Sequence, residues 1–380
     1  MNKKNILFIS SWYPNEEDPT LGIFVRRHAI SASRYNNVKV LSLKKDNNIS
    51  EIKIEEYKIN GIHEVIVSYP EVRTSLPLIK TYLKFKKLLN TYDQGLEHLI
   101  VKGFFPDIVH CNVMDPVGVI GLNWKNKRNI PYVITEHWTG YTNLDGRYEN
   151  NKKLKFFIPN IANKAEWILP VSKDLEKSLI EKGLGKKHKV IRNVVDTEKF
   201  THTPTTPNQF IVIADLENDQ KNILGIIETF RRFIKTNTNV TLTIAGGGCD
   251  EAEIRSEIKR LNLLDKINLI GRVDANILSD QLNKSYGLIL FSNYENLPCV
   301  IVESFACGVP VISTDVGGIS EIINETNGVL IQSKNKEELL KAMNFTMKNK
   351  WNKNKIRQFA IDNFSVDKIG KEFDEVYRSI

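Results

Sequence analysis

The sequence predicts an α/β protein in which two doubly wound parallel sheets face each other across a cleft. Short apolar runs rich in β-branched residues alternate with amphipathic helical stretches along most of the 380 residues. These runs are continuously apolar, which is typical of parallel strands that helices cover on both faces. A polar, proline-punctuated stretch interrupts the pattern at 201–208, and the alternation then restarts, so we expect two domains.

The first domain is expected to span residues 1–200 and the second residues 209–364, with 201–208 as the linker. A charged helical tail at about 365–380 is expected to pack back on the first domain. Apolar runs predict strands at 5–11, 38–43, 63–69, 107–111, 132–137, 167–172, 189–195, 210–214, 240–245, 267–270, 288–292, 311–314 and 329–332. Amphipathic stretches predict helices at 78–102, 116–126, 222–235, 251–261, 275–284, 298–306 and 336–348.

Composition excludes several classes of protein. Hydrophobic residues make up 41% and charged residues 26%, which is ordinary for a globular chain and unlike disordered, collagen-like or coiled-coil sequences. No apolar run approaches the ~18–20 residues that span a bilayer, and the first one is too short for a secretory leader, so we expect a cytoplasmic protein. The cysteines stand apart from one another, and we expect small buried thiols and no structural metal or disulfide at Cys111, Cys249, Cys299 and Cys307.

The basic charge belongs to the first half of the chain. Residues 1–200 hold 32 Lys and Arg against 22 Asp and Glu, whereas residues 201–380 hold 21 against 23. An anionic partner is therefore expected there, and nucleic acid is not, because no nucleic-acid-binding signature accompanies the charge. The stretch Leu78–Leu89 mixes lysines with large apolar residues. It either rests on an anionic membrane at the inner face of the plasma membrane, or packs one face on the sheet with its lysines solvated.

The densest chemical signal is the segment 294–310, YENLPCVIVESFACGVP. Pro298 is expected at the first helical position, where its missing N–H costs nothing. The amides that follow would point out of the helix start and, with the helix dipole, form an anion site. Glu295 and Glu303 would then bracket a diphosphate and accept hydroxyl hydrogens on either side of it. The plain alternative is two surface glutamates on an ordinary helix.

This segment resembles the E-x7-E signature of retaining GT-B glycosyltransferases, a family 4-like group also named glycosyl transferases group 1. Downstream, GVPVIST at 308–314 and GGISE at 317–321 are similar to that family's continuation. Further matches are SWYP at 11–14 with GIFV at 22–25, PDIVH at 106–110 with TEH at 135–137, RNVVD at 192–196, KN at 221–222 and IGRV at 270–273. The resemblance implies a GT-B fold of two Rossmann-like domains, with the acceptor on the first and the nucleotide sugar on the second.

The resemblance also assigns residues to roles. It implies a catalytic group of Glu295, His137 and Lys221. The donor diphosphate and sugar would be held by Gly22, Asn296, Leu297, Pro298, Cys299 and Val300, and the nucleoside by Glu303, Gly271, Arg272 and Val273. No cofactor or metal is expected, because the sequence has no Asp-x-Asp cluster and preorganised donors would offset the charge on the leaving diphosphate.

One position departs from the family pattern. The family often carries an arginine six residues before its phosphate lysine, and here that position is Asp215. Either Lys221 works with another cation, such as Arg272, or the diphosphate is held less tightly.

The expected function is retaining transfer of a hexosyl or N-acetylhexosaminyl group from a UDP- or GDP-sugar to a growing, lipid-linked, cell-surface glycan. Two alternatives share the fold. A non-catalytic nucleotide-sugar-binding subunit has only Asp215 in its favour. The E-x7-E arrangement weighs against the other alternative, an epimerase acting on a nucleotide sugar.

Overall fold

The protein is described by a computed structural model that covers residues 3–15, 18, 20–72 and 76–380. The strands of one sheet are β1 (Asn5–Ser10), β2 (Asn37–Lys45), β3 (Lys53–Ile59), β4 (Ile62–Tyr69), β5 (Ile108–Asn112), β6 (Tyr132–Glu136) and β7 (Trp167–Pro170). Those of the other are β8 (Gln209–Ile213), β9 (Thr241–Ala245), β10 (Ile267–Gly271), β11 (Ser285–Leu290), β12 (Val311–Thr314) and β13 (Gly328–Ile331). Twelve of these thirteen strands lie within three residues of a range predicted from the sequence.

The helices connect most of the successive strands and cover both sheets. They are α1 (Ile23–Ser33), α2 (Pro77–Val101), α3 (Val119–Arg128), α4 (Lys152–Lys164), α5 (Lys173–Glu181), α6 (Asn218–Lys221), α7 (Ile223–Phe233), α8 (Glu251–Arg260), α9 (Ala275–Asn283), α10 (Cys299–Ala306), α11 (Lys336–Lys348), α12 (Lys353–Phe364) and α13 (Val366–Arg378). Among these described helices, none combines the length and the apolarity needed to cross a bilayer.

The two sheets have the topology of doubly wound α/β domains. The strand order is β3-β4-β2-β1-β5-β6-β7 in the first and β10-β9-β8-β11-β12-β13 in the second. Strand β1 explains the continuous apolarity, since successive side chains enter different cores. Phe8 packs in the core beneath α1 and α13, whereas Leu7 and Ile9 pack in the core that includes Tyr92 of α2 and Trp124 of α3.

The last helix, α13, packs on the first domain, although it follows the second domain in the sequence. Ser31 of α1 donates to the carbonyl oxygen of Val366 at 2.8 Å, and the Tyr377 hydroxyl lies 2.6 Å from Nδ1 of His110. Val195 also forms an isolated parallel bridge with Ser365, just before α13. The chain therefore crosses between the two sheets at 201–208 and again before α13.

Strand β3 was not predicted from the sequence. Its sequence, KIEEYKI, is charged and only partly buried, and it pairs antiparallel to β4 at the edge of the first sheet. Lysine and glutamate on an edge strand discourage pairing with other chains. The first sheet is therefore mixed, whereas the sequence predicted a purely parallel one.

The strand predicted at 189–195 is absent. The preceding residue, His188, forms a single bridge with Ile168 of β7, and the N–H of Ile191 donates to the carbonyl oxygen of Pro170 at 3.0 Å. Proline has no N–H, so Pro170 cannot donate the backbone hydrogen bond that would continue a parallel ladder. The pairing therefore stops although the side chains favour a strand.

The prediction that every cysteine is buried is wrong at one position. Cys111 and Cys307 are buried and Cys299 is partly buried, but Cys249 is exposed. Cys249 lies in the loop after β9, where three consecutive glycines precede it. All four thiols are free in this structure.

Candidate active site

An interdomain cleft lies where strands of both sheets end. A cavity of about 550 Å³ occupies this cleft. Loops that follow β8, β9 and β10 line it on one side, and the start of α1 closes it on the other. Five residues predicted to bind the donor line it together: Arg272, Val273, Cys299, Val300 and Glu303. The two glutamates of the 295–303 segment are therefore separated. Glu303 lines this cavity, whereas Glu295 does not.

Gly22 fixes the start of α1 in the cleft. Its φ is +58°, in the left-handed region that glycine enters without strain. A Cβ atom at this position would lie 2.2 Å from the carbonyl oxygen of Trp12, so no other residue fits without movement of the loop. The glycine therefore allows the β1–α1 loop to fold tightly against the helix start, where the donor contact was predicted.

Lys221 and Glu295 form an ion pair beside the start of α10. The Glu295 side chain is buried, and the same oxygen accepts a hydrogen bond from the Ser292 hydroxyl at 2.9 Å. Lys221 ends the short helix α6, because Asn222 adopts a left-handed conformation before α7 begins. The N–H of Asn293 donates to the carbonyl oxygen of Gln220 at 2.7 Å, which ties the two loops together.

A glycine turn supports the loop that carries Glu295. Gly317 has a φ of +58°, and a Cβ atom there would lie 2.0 Å from the carbonyl oxygen of Glu295. The next amide, of Gly318, donates to the carbonyl oxygen of Asn296 at 3.0 Å. The GGISE motif is therefore a packing requirement for the Glu295 loop.

Helix α10 begins one residue later than predicted. Pro298 is its N-cap, with an extended ψ of 129°, and Cys299 is the first helical residue. The prediction of an anion site at this helix start does not depend on that shift, because the first N–H groups of any helix have no partner within it. Those of Cys299 and Val300 belong to residues that line the cavity. Leu297 is buried, and its carbonyl oxygen accepts from Asn193 at 2.6 Å.

His137 reaches the second domain through its backbone. Its carbonyl oxygen accepts a hydrogen bond from Nδ2 of Asn296 at 2.5 Å. Its imidazole lies against the rings of Phe24 and His28, with centroid distances of 4.3 and 5.4 Å. Burial holds the pKa of His137 well below its usual value, which favours the neutral ring. Its Nε2 atom is buried and has no hydrogen-bond partner within the part of the chain that the structure describes.

Glu136 organises the backbone next to His137. Its carboxylate accepts from three backbone amides, those of Met114, His137 and Trp138, at 2.8–2.9 Å. Burial raises the pKa of Glu136 to about 7, although these hydrogen bonds act in the opposite direction. Because three backbone amides from two loops bind this one carboxylate, its role in this structure is to shape the end of β6.

Asp215, which stands where the family often has arginine, is paired with Arg272. Their closest atoms are 3.0 Å apart, and both side chains are substantially exposed. Arg272 also donates to the Thr20 hydroxyl in the first domain at 2.7 Å and to the carbonyl oxygen of Gly247 at 3.3 Å. The positive charge of Arg272 thus partly offsets the negative charge of Asp215. Gly271, the other predicted nucleoside contact here, is the last residue of β10, just before Arg272.

An ion pair across the cleft was not predicted from the sequence. Nη2 of Arg27, on α1, lies 2.5 Å from Oε1 of Glu303, on α10. Its neighbour Arg26 also lines the cavity, but pairs with Glu64 inside the first domain at 2.8 Å. The only sequence signal was that two consecutive arginines follow the Gly22 loop on one helix.

Sequence comparisons cover most of the chain. The sequence model of the family described as Glycosyl transferases group 1 matches residues 173–362, and that of Glycosyltransferase Family 4 matches residues 32–199. An uncharacterized glycosyltransferase of Methanocaldococcus jannaschii is 27% identical over 305 residues, which are 79% of this chain and 81% of that protein.

A second relative has a more specific name. The N-acetylgalactosamine-N,N'-diacetylbacillosaminyl-diphospho-undecaprenol 4-alpha-N-acetylgalactosaminyltransferase of Campylobacter jejuni is 26% identical over 293 residues. The match covers 74% of this chain and 76% of that protein. A Bacillus subtilis protein named for teichuronic acid biosynthesis is 24% identical over 362 residues, 89% of this chain and 88% of that protein.

Solved structures share the whole architecture. Sucrose-phosphate synthase from Thermosynechococcus elongatus has a TM-score of 0.78 at 18% identity, with 99% of both chains covered. Anabaena HepE in complex with UDP-glucose has a TM-score of 0.73 at 18% identity, with 99% of this chain and 100% of that chain covered. At these identities the likeness shows the fold, which is GT-B.

Proposed function

Because the chain belongs to the glycosyl transferases group 1 family, we propose that it transfers a sugar, with retention of anomeric configuration, from a UDP- or GDP-sugar to a growing lipid-linked glycan of the cell envelope. Glycosyltransferase activity follows from that membership. The sugar is proposed to be a hexosyl or N-acetylhexosaminyl group. The HepE structure contains UDP-glucose and the Campylobacter relative is named for an undecaprenol-linked acceptor, which supports these substrate classes.

The observation that carries the proposal is the ion pair of Lys221 with Glu295 beside the start of α10. A departing nucleoside diphosphate develops negative charge, and fixed donors in a partly dry cleft stabilise it without reorganising. Lys221 supplies a cation, and the amides of Cys299 and Val300 supply helix-start donors. Gly22 presents the backbone of the opposite domain without a Cβ atom in the way.

In the proposed reaction the acceptor hydroxyl approaches the anomeric carbon on the face from which the diphosphate departs. The bond from the anomeric carbon to the phosphate oxygen breaks, the bond to the acceptor oxygen forms, and the acceptor proton passes to the departing phosphate oxygen. Glu295 is proposed to contact the donor sugar beside the reacting carbon. Nε2 of His137, for which the described residues offer no partner, is proposed to bond a sugar hydroxyl. Closure of the cleft would keep water from the reacting sugar.

We propose that the reaction needs no divalent metal. Metal-dependent sugar transferases commonly use an Asp-x-Asp cluster, and the sequence has none. The cavity is also lined by four carboxylates, and the basic groups available to the donor are Arg26, Lys199 and Arg272 in that lining and Lys221 next to Glu295. These groups would supply the charge that a metal ion supplies elsewhere.

A lipid-linked acceptor is supported by exposed apolar groups on the first domain. In α2, Tyr82 is 62% exposed, and Ile79 and Phe85 are also exposed among lysines, so this part of the helix presents apolar side chains to solvent. In α4, Phe156 is 82% exposed and stands beside Lys155. The inner residues of α2 and α4 share one core, so the two helices cover the same face of the sheet. Lysines with exposed aromatic side chains match an anionic membrane surface.

The test is a transfer assay with labelled UDP- and GDP-sugars and a membrane extract as the source of acceptor, with Glu295→Gln as the matched inactive control. We expect label to move into the lipid fraction in the presence of EDTA, with the donor's anomeric configuration in the product. Conversion of the free donor into another nucleotide sugar would instead identify an epimerase, and binding without turnover a non-catalytic subunit. Inverted configuration in the product would overturn the retaining mechanism.

A further inference from the structure

The ion pair between Arg27 and Glu303 joins the two domains inside the cavity. Arg27 is in the second turn of α1, whose start Gly22 fixes, and Glu303 is in α10 of the second domain. The side chains are 14% and 5% exposed, so water screens their attraction weakly. A buried pair of this kind is held firmly, since removal of either partner leaves an uncompensated charge.

Neither partner has its hydrogen-bonding capacity filled. Nη1 of Arg27 is buried and has no hydrogen-bond partner among the described residues. The Glu303 carboxylate has two oxygens with roughly four lone-pair sites, and the pair with Arg27 uses one oxygen. Both side chains line the cavity, where a polar ligand would meet the remaining sites.

We propose that Arg27 is a first-domain positioning residue for the donor nucleoside, which holds the Glu303 carboxylate in the orientation that accepts ribose hydroxyls. This inference rests on the proposed use of a nucleotide sugar. It makes recognition of the ribose depend on a residue of the opposite domain. The nucleoside therefore binds best when α1 is close to α10, which links donor recognition to the closed cleft.

The opposite role for the same contact is a block, in which Arg27 occupies Glu303 until a nucleotide displaces it. The two roles predict opposite changes in nucleotide affinity when Arg27 is removed. A block predicts that removal of Arg27 strengthens nucleotide binding, whereas a positioning residue predicts that removal weakens it. The open coordination sites of both groups favour positioning, because a ribose can bind without breaking the pair.

The experiment measures dissociation constants of UDP, GDP and their 2′-deoxy forms for the full-length protein by calorimetry. With the nucleotide that the wild type prefers, we expect the ribonucleotide to bind about tenfold more tightly than the deoxy form, as expected for one charge-assisted hydrogen bond. In Arg27→Ala we expect ribonucleotide binding to weaken about tenfold, and the ratio between the two forms to fall towards one. Arg27→Lys should restore part of the ratio, because it keeps the positive charge.

Two controls separate positioning from loss of structure. Arg232→Ala removes an Arg–Glu pair on the surface of the second domain, with Glu337, and should leave both constants unchanged. Thermal unfolding confirms that each variant is folded; if Arg27→Ala is not, Arg27→Gln replaces it. Arg27→Ala combined with Glu303→Gln should bind no more weakly than Glu303→Gln alone, because both changes remove one interaction.

Failure of the Arg27 role and failure of the proposed donor class give different results in this experiment. An unchanged ratio in folded Arg27 variants, or tighter binding by Arg27→Ala, would overturn the positioning role while leaving nucleotide binding intact. If the wild type binds neither UDP nor GDP, the proposed donor class is wrong and the inference fails with it.

Discussion

The Glu295→Gln variant tests whether the Lys221–Glu295 pair serves catalysis or only the fold. The substitution keeps the size of the side chain and an acceptor for the Ser292 hydroxyl, which is 2.9 Å from the carboxylate. It removes the negative charge and leaves Lys221 without its counter-ion. Breaking a fully buried pair costs roughly 3–5 kcal/mol. Because Lys221 is 15% exposed, we expect a smaller loss of unfolding free energy, about 2 kcal/mol.

A domain with a stability of roughly 5–15 kcal/mol survives such a loss, so the variant should remain folded. Its rate of transfer should fall about 100- to 1,000-fold, the range seen when one electrostatic group is removed from a reacting centre. Urea unfolding measures the first effect, and initial rates with saturating donor measure the second.

A matched control shows whether instability alone reduces the rate. Asp93 accepts a hydrogen bond from Nε1 of the buried Trp124 at 2.6 Å, and neither residue lines the cavity. Asp93→Asn makes the same carboxylate-to-amide change and should cost stability without slowing transfer. Turnover by Glu295→Gln within threefold of the wild type would refute the catalytic role of Glu295.

Three further predictions concern the loops and the core. Gly22→Ala should raise the KM for the donor at least tenfold in steady-state assays, because its Cβ would lie 2.2 Å from the Trp12 oxygen; an unchanged KM would remove Gly22 from the donor site. Asp215→Ala should lower the KM for the donor a few-fold, because it frees Arg272 and removes a negative charge; a higher KM would mean that Asp215 helps binding. Burial lowers the pKa of His28 to about 4, so the unfolded state binds more protons between pH 4 and 6.5. Stability from His28 is present above pH 6.5 and falls by about 3 kcal/mol as pH drops to 4, and unfolding of His28→Gln should depend less on pH over that range.

The strands and the motif loops could be predicted because their signals are local. A continuous apolar run specifies a doubly covered strand, and the GGISE loop has its own short motif, although Gly317 packs on Glu295, which is distant in the sequence. The errors came from properties that depend on neighbours. Residues 189–195 favour a strand, but the adjacent Pro170 cannot complete the ladder. Strand β3 has too few apolar residues to be recognised, and it forms because β4 offers an edge.

The candidate site was predictable within each domain but not between them. The pairing of Glu295 with Lys221 joins two segments of the second domain that both carry family motifs. The pairing of Arg27 with Glu303 depends on how α1 of one domain meets α10 of the other, and no local pattern encodes that meeting. The replacement of the family arginine by Asp215 was visible in the sequence, whereas its pairing with Arg272 was not.

The most direct test of the account is a crystal structure of the protein with UDP or GDP bound in the presence of EDTA. We expect the diphosphate within hydrogen-bond distance of the Cys299 and Val300 amides and of Nζ of Lys221, with the ribose hydroxyls on Glu303. A nucleotide bound outside the interdomain cleft, or one whose phosphates touch none of these groups, would contradict it.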